Sequence, residues 1–206
     1  MADRPTVAVL IPCGEMIHTR TVMALVEQLF TAHQTINVPL EMLMGSNISE
    51  SRNQLVKKAL TFNPDYVLFI DSDMHFPRDS LQRLMFWDKD IIGATYCKRS
   101  PPFDVIGKTT TGEMPLTGLV EAERLPAGML LIKASVFKDA PYPWFYESYD
   151  EAGELHSEDT NFCDDARKRG LQVWLECGLS VDMAHLAVFP VTIPEVMRTR
   201  QARSDG

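Results

Sequence analysis

Tyr66 to Pro77 reads YVLFIDSDMHFP, and the fold turns on how that stretch is interpreted. Five apolar residues, Tyr66 to Ile70, run directly into Asp71, Ser72 and Asp73. A short unbroken apolar run of aromatic and branched side chains predicts a strand buried on both faces. The carboxyl end of such a strand is where open α/β sheets hold their ligands. In extended backbone, residues i and i+2 point the same way. Asp71 and Asp73 would then converge on one cation, provided the chain stays extended through Ser72. Hard oxygen donors suit Mg²⁺ or Mn²⁺. The plainer alternative is that acidic residues merely punctuate a strand end, as turn residues do.

Two β-α units precede that strand. Thr6 to Ile11 predicts the first strand, followed by Pro12, Cys13 and Gly14, a turn that exposes backbone N–H groups. Thr19 to Phe30 carries helical apolar spacing at Val22, Met23, Leu25, Val26, Leu29 and Phe30. Val38 to Met44 predicts a second strand. Ser46 or Asn47 can cap the next helix, and Glu50 three residues past Asn47 approximates a capping box. That helix reaches about Thr61, and Asn63-Pro64 stops it. After the central strand, Pro77 can start a helix, and Ile91 to Thr95 predicts a fourth strand. The pattern β-α-β-α-β-α-β implies parallel strands with right-handed crossovers, a Rossmann-like half.

Past Tyr96 the character changes without a domain boundary. Cys97 to Asp104, CKRSPPFD, reads as loop. Leu116 to Glu121 and Met129 to Lys133 predict strands around Leu125-Pro126-Ala127-Gly128. Ser157 to Arg169 predicts a helix with Ser157 as cap, acidic residues in its first turn and Gly170 as its stop. Gln172 to Glu176 and Leu179 to Met183 predict further strands. Residues 188–206 show little apolar periodicity and are expected to be a flexible tail. The expected fold class is α/β: one domain over 1–206, with a mostly parallel central sheet flanked by helices.

The composition is that of an ordinary soluble globular chain, with 206 residues, 45% hydrophobic and 23% charged. A net charge of -8 argues against a broad electrostatic footprint for nucleic acid. Cys13, Cys97, Cys163 and Cys177 form no C-x-x-C pair, which excludes a zinc framework of that kind, and reduced thiols are the simpler reading. The first apolar run, Val7 to Ile11, is too short for a signal segment, and no segment approaches a bilayer span. The expectation is a cytoplasmic protein, in host cytoplasm if a phage encodes it, with no evident protein partner.

Several residues could carry chemistry beside the Asp71/Asp73 pair. His185 follows the segment VDMA and could be a ligand or an ordinary structural histidine. Glu158 and Asp159 open a helix, where a carboxylate can be a cap or a general base. Arg52 and Asn53 lie early in the second helix, and Lys98 and Arg99 follow the fourth strand. These could reach phosphates or simply be solvated charge. Neither G-x-G-x-x-G nor a P-loop is present.

These segments, in this order, resemble the GT-A-fold glycosyltransferases, close to the large family-2-like group and its small stand-alone bacterial or phage members. The resemblance covers Val7 to His185: VAVLIPCG, SESRNQLVKKAL, YVLFIDSDMHFP, IIGATYCKRSPP, LPAGMLLIKASVF, SEDTNFCDDARKRGLQVWL and VDMAH. It implies a nucleotide-binding half (1–96) and an acceptor half (97–187). Asp71, Asp73 and His185 would hold Mn²⁺ or Mg²⁺ on the diphosphate of a nucleotide sugar, a UDP-sugar first. A metal there neutralises charge on the leaving diphosphate. Asp159 would be the base of an inverting transfer, with Glu158 beside it. Arg52, Ser72 and Lys98 would lie against the donor, and Pro12, Cys13 and Gly14 would hold its base and ribose. The acceptor would be a hydroxyl on a glycan, a small molecule or a modified DNA base, although the acidic balance gives DNA no support. The loop IPCGEMIH departs from the commoner "P-x-Y-N" form.

Other classes fit less well. Haloacid-dehalogenase-type phosphatases also use a strand ending in D-x-D, but near the N-terminus and followed by a small pair, where Met74-His75 stands here. Sugar-nucleotide pyrophosphorylases need a glycine-rich, lysine-bearing first loop that is absent. A non-catalytic sugar-binding module would tolerate loss of the acidic pair or the base, and both are intact.

Overall fold

The computed structural model describes residues 4–100 and 103–187. The expected tail, 188–206, lies outside the described residues. The chain opens with β1 (Val7–Cys13), α1 (Thr19–Ala32), β2 (Leu40–Met44), α2 (Ile48–Leu60) and β3 (Tyr66–Ile70). There follow β4 (Met74–His75), α3 (Ser80–Phe86), β5 (Ile91–Gly93), β6 (Lys108–Thr109), β7 (Leu119–Arg124), β8 (Met129–Lys133) and α4 (Ala134–Lys138). The last elements are β9 (Ser148–Tyr149), β10 (Leu155–His156), α5 (Glu158–Lys168), β11 (Val173–Glu176), α6 (Cys177–Asp182) and β12 (Ala184–His185).

Eight strands form one sheet in the order β2-β1-β3-β8-β5-β11-β7-β6. β1 pairs in parallel with β2 and β3, and β11 with β5, whereas β8 is antiparallel to both β3 and β5. The predicted fourth strand therefore runs in the expected direction but is not the neighbour of β3. The register Ile70↔Met129 puts the Leu125–Gly128 loop at the edge where β3 ends.

The alternation of buried residues builds a three-layer α/β/α domain. Ala8, Leu10, Val67 and Phe69 face α2 and α5, where Leu55, Val56, Phe162 and Ala166 meet them. Val7, Val9, Ile11, Leu68 and Ile70 face the opposite layer, with Leu25 of α1, Leu81 and Leu84 of α3 and Leu179 of α6. The central strands are thus apolar on both faces, as their continuous hydrophobic runs require. Asn47 caps α2 by accepting from the Glu50 N–H at 2.9 Å. Gly93 lets β5 pass close to β8, since a Cβ there would lie 2.6 Å from the Met129 carbonyl oxygen.

Two sequence expectations change. Leu179 to Met183 is not a strand: Cys177–Asp182 is helical, its first turn capped by the Glu176 carboxylate on the Leu179 N–H. Burial follows the helical spacing, with Leu179 and Ser180 inside and Val181 exposed. Pro77 does not start α3. Its carbonyl accepts from the Ser80 N–H at 3.1 Å and the Ser80 hydroxyl at 2.5 Å, which delays the helix to Ser80. Among the described residues no helix is long and apolar enough to cross a membrane.

Candidate functional site

β3 ends at Ile70, and one more ladder bond, Asp71 N–H to the Gly128 carbonyl at 3.2 Å, fixes the Asp71 backbone. The chain then turns at Ser72 and Asp73 rather than staying extended. The condition for Asp71 and Asp73 to point the same way is therefore not met, and the two carboxylates have different partners. Asp71 Oδ1 accepts from Arg52 at 2.8 Å. Asp73 Oδ2 accepts from Arg99 at 2.6 Å and lies 3.3 Å from His185 Nε2.

A short two-stranded ladder carries His185 to this place. β12 pairs antiparallel with β4, His185 opposite Met74, and the Leu186 N–H donates to the Asp73 carbonyl at 2.7 Å. His185 Nδ1 lies 3.0 Å from the Cys97 carbonyl oxygen. A carbonyl can only accept, so Nδ1 carries a proton, and Nε2 faces Asp73 either as a second N–H donor or, when it carries no proton, with a lone pair. In the second case two acceptors face each other, and a cation between them would satisfy both. Asp73 and His185 thus fit a divalent cation by donor type and orientation. Asp71 lines the same cleft, although its Oδ1 is engaged by Arg52. Among the described residues no three His, Cys, Asp or Glu side chains are already gathered around one point. Burial works to raise the Asp73 carboxyl, but the hydrogen bond and charge of His185, with Arg99, outweigh it and hold the group below its usual range.

Behind Asp71 stands a buried ion cluster. Arg52 is 2% exposed and donates to Asp71 and, through Nη1, to Glu158 Oε1. Burial opposes its charge, but Asp71, Glu158 and Asp159 raise its pKa above the usual value. Burial likewise pushes the Glu158 carboxyl up, Arg52 pulls it back, and the neighbouring Asp159 adds to the rise. Arg52, expected from the sequence to contact the nucleotide or diphosphate, is turned to Asp71 and Glu158 and ties the end of β3 to the start of α5. Asn53 is also turned inward. Its Oδ1 accepts from the Trp144 and Phe145 N–H groups, both at 3.1 Å, and its Nδ2 donates to the Phe145 carbonyl at 2.7 Å.

Glu158 and Asp159 divide the roles that the sequence left open. Glu158 is buried in the ion cluster, while Asp159 is half-buried. Asp159 Oδ1 accepts from the Thr160 N–H at 2.7 Å and from the Ser157 hydroxyl, so it satisfies the helix start that Ser157 was expected to cap. The Asp159 charge also acts on Arg52 and Tyr96.

Tyr96 is a site residue that the sequence did not single out, and Gly128, read only as part of LPAGMLLIKASVF, is its partner. The buried Tyr96 hydroxyl accepts from the Gly128 N–H at 3.1 Å, and its ring meets His185 edge-on. Burial pushes the phenol well above its usual value, with the Asp71 charge adding to the rise. A Cβ on Gly128 would lie 2.2 Å from the Tyr96 oxygen and 3.0 Å from Asp71 Oδ2. The sequence signals were the segments IIGATYCKRSPP and LPAGMLLIKASVF, which place a tyrosine after one strand and a glycine before another.

The open side of the cluster is a cleft of about 300 Å³ at the carboxyl edge of β1 and β3. Pro12, Cys13 and Gly14 from β1 and its turn, Gly45 and Ser46 from the β2–α2 connection, Ile48 and Ser51 from the first turn of α2, and Asp71, Ser72, Asp73, Arg99 and His185 line it. The expected nucleotide residues are thus together, except Arg52 and Lys98. Lys98 faces Asp104 at 3.4 Å and does not line the cleft; Arg99, its neighbour, does.

No family model matches the chain, and no curated protein sequence does. Solved structures do match in shape. A197 from STIV aligns with 91% of this chain and 97% of its own at 12% identity, with a TM-score of 0.57. A Bacillus anthracis protein described as a glucose-1-phosphate thymidylyltransferase, in complex with a sucrose, covers 85% of this chain and 92% of its own, at 13% identity and a TM-score of 0.44. At such identity the likeness to A197 concerns the α/β fold alone, and the second likeness is too weak to bear on it.

Proposed function

We propose that the chain is a metal-assisted glycosyltransferase that moves a sugar from a nucleoside-diphosphate donor to an acceptor hydroxyl with inversion. The observation that carries this reading is the joining of Asp73 to His185, 112 residues apart, at the mouth of a cleft that also holds Pro12–Gly14, Asp71 and Ser72. Residues 1–96 would hold the nucleotide and residues 97–187 the acceptor. Asp73 and His185, with Asp71 completing the set, would hold Mn²⁺ or Mg²⁺. When bound, the cation offsets the negative charge that grows on the diphosphate as it leaves. Asp159 would take the proton of the acceptor hydroxyl as that oxygen bonds to the anomeric carbon and the bond to the diphosphate oxygen breaks. Glu158, fixed by Arg52, would hold the start of α5 so that Asp159 stays in reach. A hydroxylated base in DNA remains one acceptor class, and the net charge of -8 does not favour it.

The test is incubation with Mn²⁺ and a panel of nucleotide sugars, UDP-sugars first, with release of nucleoside diphosphate as the readout. Failure of every nucleotide sugar to bind or turn over, with or without metal, sinks the reading. Asp73→Asn is expected to abolish metal-dependent nucleotide binding; retained binding would remove Asp73 from the site.

A further inference from the structure

Resting on that reading, we infer that Arg99 is the side chain that grips the donor diphosphate, and that it sits on Asp73 only while the site is free of ligand. Arg99 lies on the loop after β5 and lines two cavities on either side of Asp73. One is the donor cleft. The other, of about 730 Å³, is bounded by Met16 to Thr19 and by Leu186 and Ala187. Among the described residues Arg99 is the one lysine or arginine lining either cavity. Its side chain is 59% exposed, so it is free to change partner without unpacking the core.

Its present partner is informative. Arg99 Nη1 bonds to Asp73 Oδ2, the same oxygen that faces His185 Nε2. That oxygen is the one a cation shared with His185 would need. A guanidinium and a divalent cation cannot both hold it at full strength, so the arriving metal and diphosphate displace Arg99. The displaced side chain stays at the junction of the two cavities. A guanidinium matches the paired oxygens of a phosphate through two parallel N–H bonds. The need is also clear: Asp71 and Asp73 repel a diphosphate, in a chain whose net charge is already -8. Arg52 cannot supply the charge, being buried between Asp71 and Glu158, and Lys98 faces Asp104.

The experiment is isothermal titration of wild-type protein, Arg99→Ala and Arg99→Lys. Mn²⁺ alone is titrated first, then UDP, GDP and dTDP in saturating Mn²⁺. Lys168→Ala, a change at an exposed side chain that lines neither cavity, is the control. Loss of a charge-assisted phosphate contact is expected to weaken nucleoside-diphosphate binding to Arg99→Ala roughly ten- to hundredfold. Removal of the competitor on Asp73 is expected to tighten Mn²⁺ binding to the same variant. Arg99→Lys should recover part of the diphosphate affinity, since it restores charge but not the fork. The opposite signs distinguish a diphosphate grip from a structural prop. If Mn²⁺ and diphosphate affinities fall together, or if diphosphate affinity stays within about twofold of wild type, Arg99 does not have this role, while the glycosyltransferase reading stands. If the wild-type protein binds none of the three diphosphates, both proposals fail.

Discussion

Replacing Arg52 with methionine tests the ion cluster that joins the two halves of the site. Methionine keeps an unbranched side chain but removes the charge between Asp71 and Glu158. Removing one partner of a buried ion pair leaves the other charge stranded, at a cost of about 3–5 kcal/mol. The Glu158 side chain is only 9% exposed, so water cannot replace the guanidinium there; Asp71, at 24%, is partly hydrated and should matter less. Domains have total stabilities of about 5–15 kcal/mol, so the variant should fold but with a large deficit. With a urea m value of about 2 kcal/mol/M, the midpoint should drop by about 1.5–2.5 M. The pH dependence gives a second readout. Burial already raises the Glu158 pKa, and Arg52 is the main influence that lowers it, so the variant's value rises further. A group with a raised folded-state pKa contributes stability below its unfolded value and loses it as pH climbs through the folded value. The deficit should therefore be smaller at pH 5 than at pH 8, by about 1.4 kcal/mol for each unit of further rise. Adding Glu158→Gln to Arg52→Met should recover part of the loss, because no buried charge is then left unpaired. A deficit below about 1 kcal/mol at both pH values, with no recovery in the double variant, would refute the reasoning.

Three further outcomes follow from the same geometry. Gly128→Ala should lower thermal stability and nucleotide affinity together, because its Cβ would meet the Tyr96 oxygen and Asp71 within 3.0 Å; an unchanged melting curve would mean the loop yields freely. Phe145→Ala should cost about 3–5 kcal/mol in urea denaturation, since the ring is buried and stacks on Phe162 at 4.8 Å; a loss under 1 kcal/mol would show that the site collapses around the gap. Asp159→Asn should spare nucleoside-diphosphate binding by titration and stop sugar transfer. Persisting transfer would reduce Asp159 to a helix-start residue.

The scaffold of the site was legible because one physical signal dominated it. Continuous apolar runs at Val7–Ile11 and Tyr66–Ile70 read as strands covered on both faces, and both are strands in the central sheet. The Asn47 cap was readable because its carboxamide acts on a residue three positions away. Long-range partners were not readable. Nothing local says that β8 enters between β3 and β5, because sheet order is decided by packing across the whole chain. Leu179–Met183 misled for a related reason: its alternation suits a strand, but Glu176 just before it supplies a cap that commits the segment to a helix. The tandem Arg52-Asn53 misled more instructively. Adjacent residues on a helix point about 100° apart, so they serve different neighbours. One lies in the ion cluster, the other pins the backbone of Trp144 and Phe145.

That division bears on how the site could work. Asp71 ends the strand beside the donor cleft, and Glu158 opens the helix that bears Asp159. Arg52 touches both, from the helix that also lines the cleft at Ile48 and Ser51. An anion or cation arriving near Asp71 changes the field at Arg52, and Arg52 holds the helix start in place. If a bound cation draws on Asp71, Arg52 shares less of its charge with Asp71 and more with Glu158. Donor binding would then tighten the start of α5, where the proposed base sits. The coupling must be reciprocal: a change at Glu158 should alter Mn²⁺ affinity although Glu158 lines no part of the cleft. Titration of Mn²⁺ into Glu158→Gln checks this directly. An affinity equal to wild type would mean that the two halves of the site are held together by Arg52 but do not communicate through it.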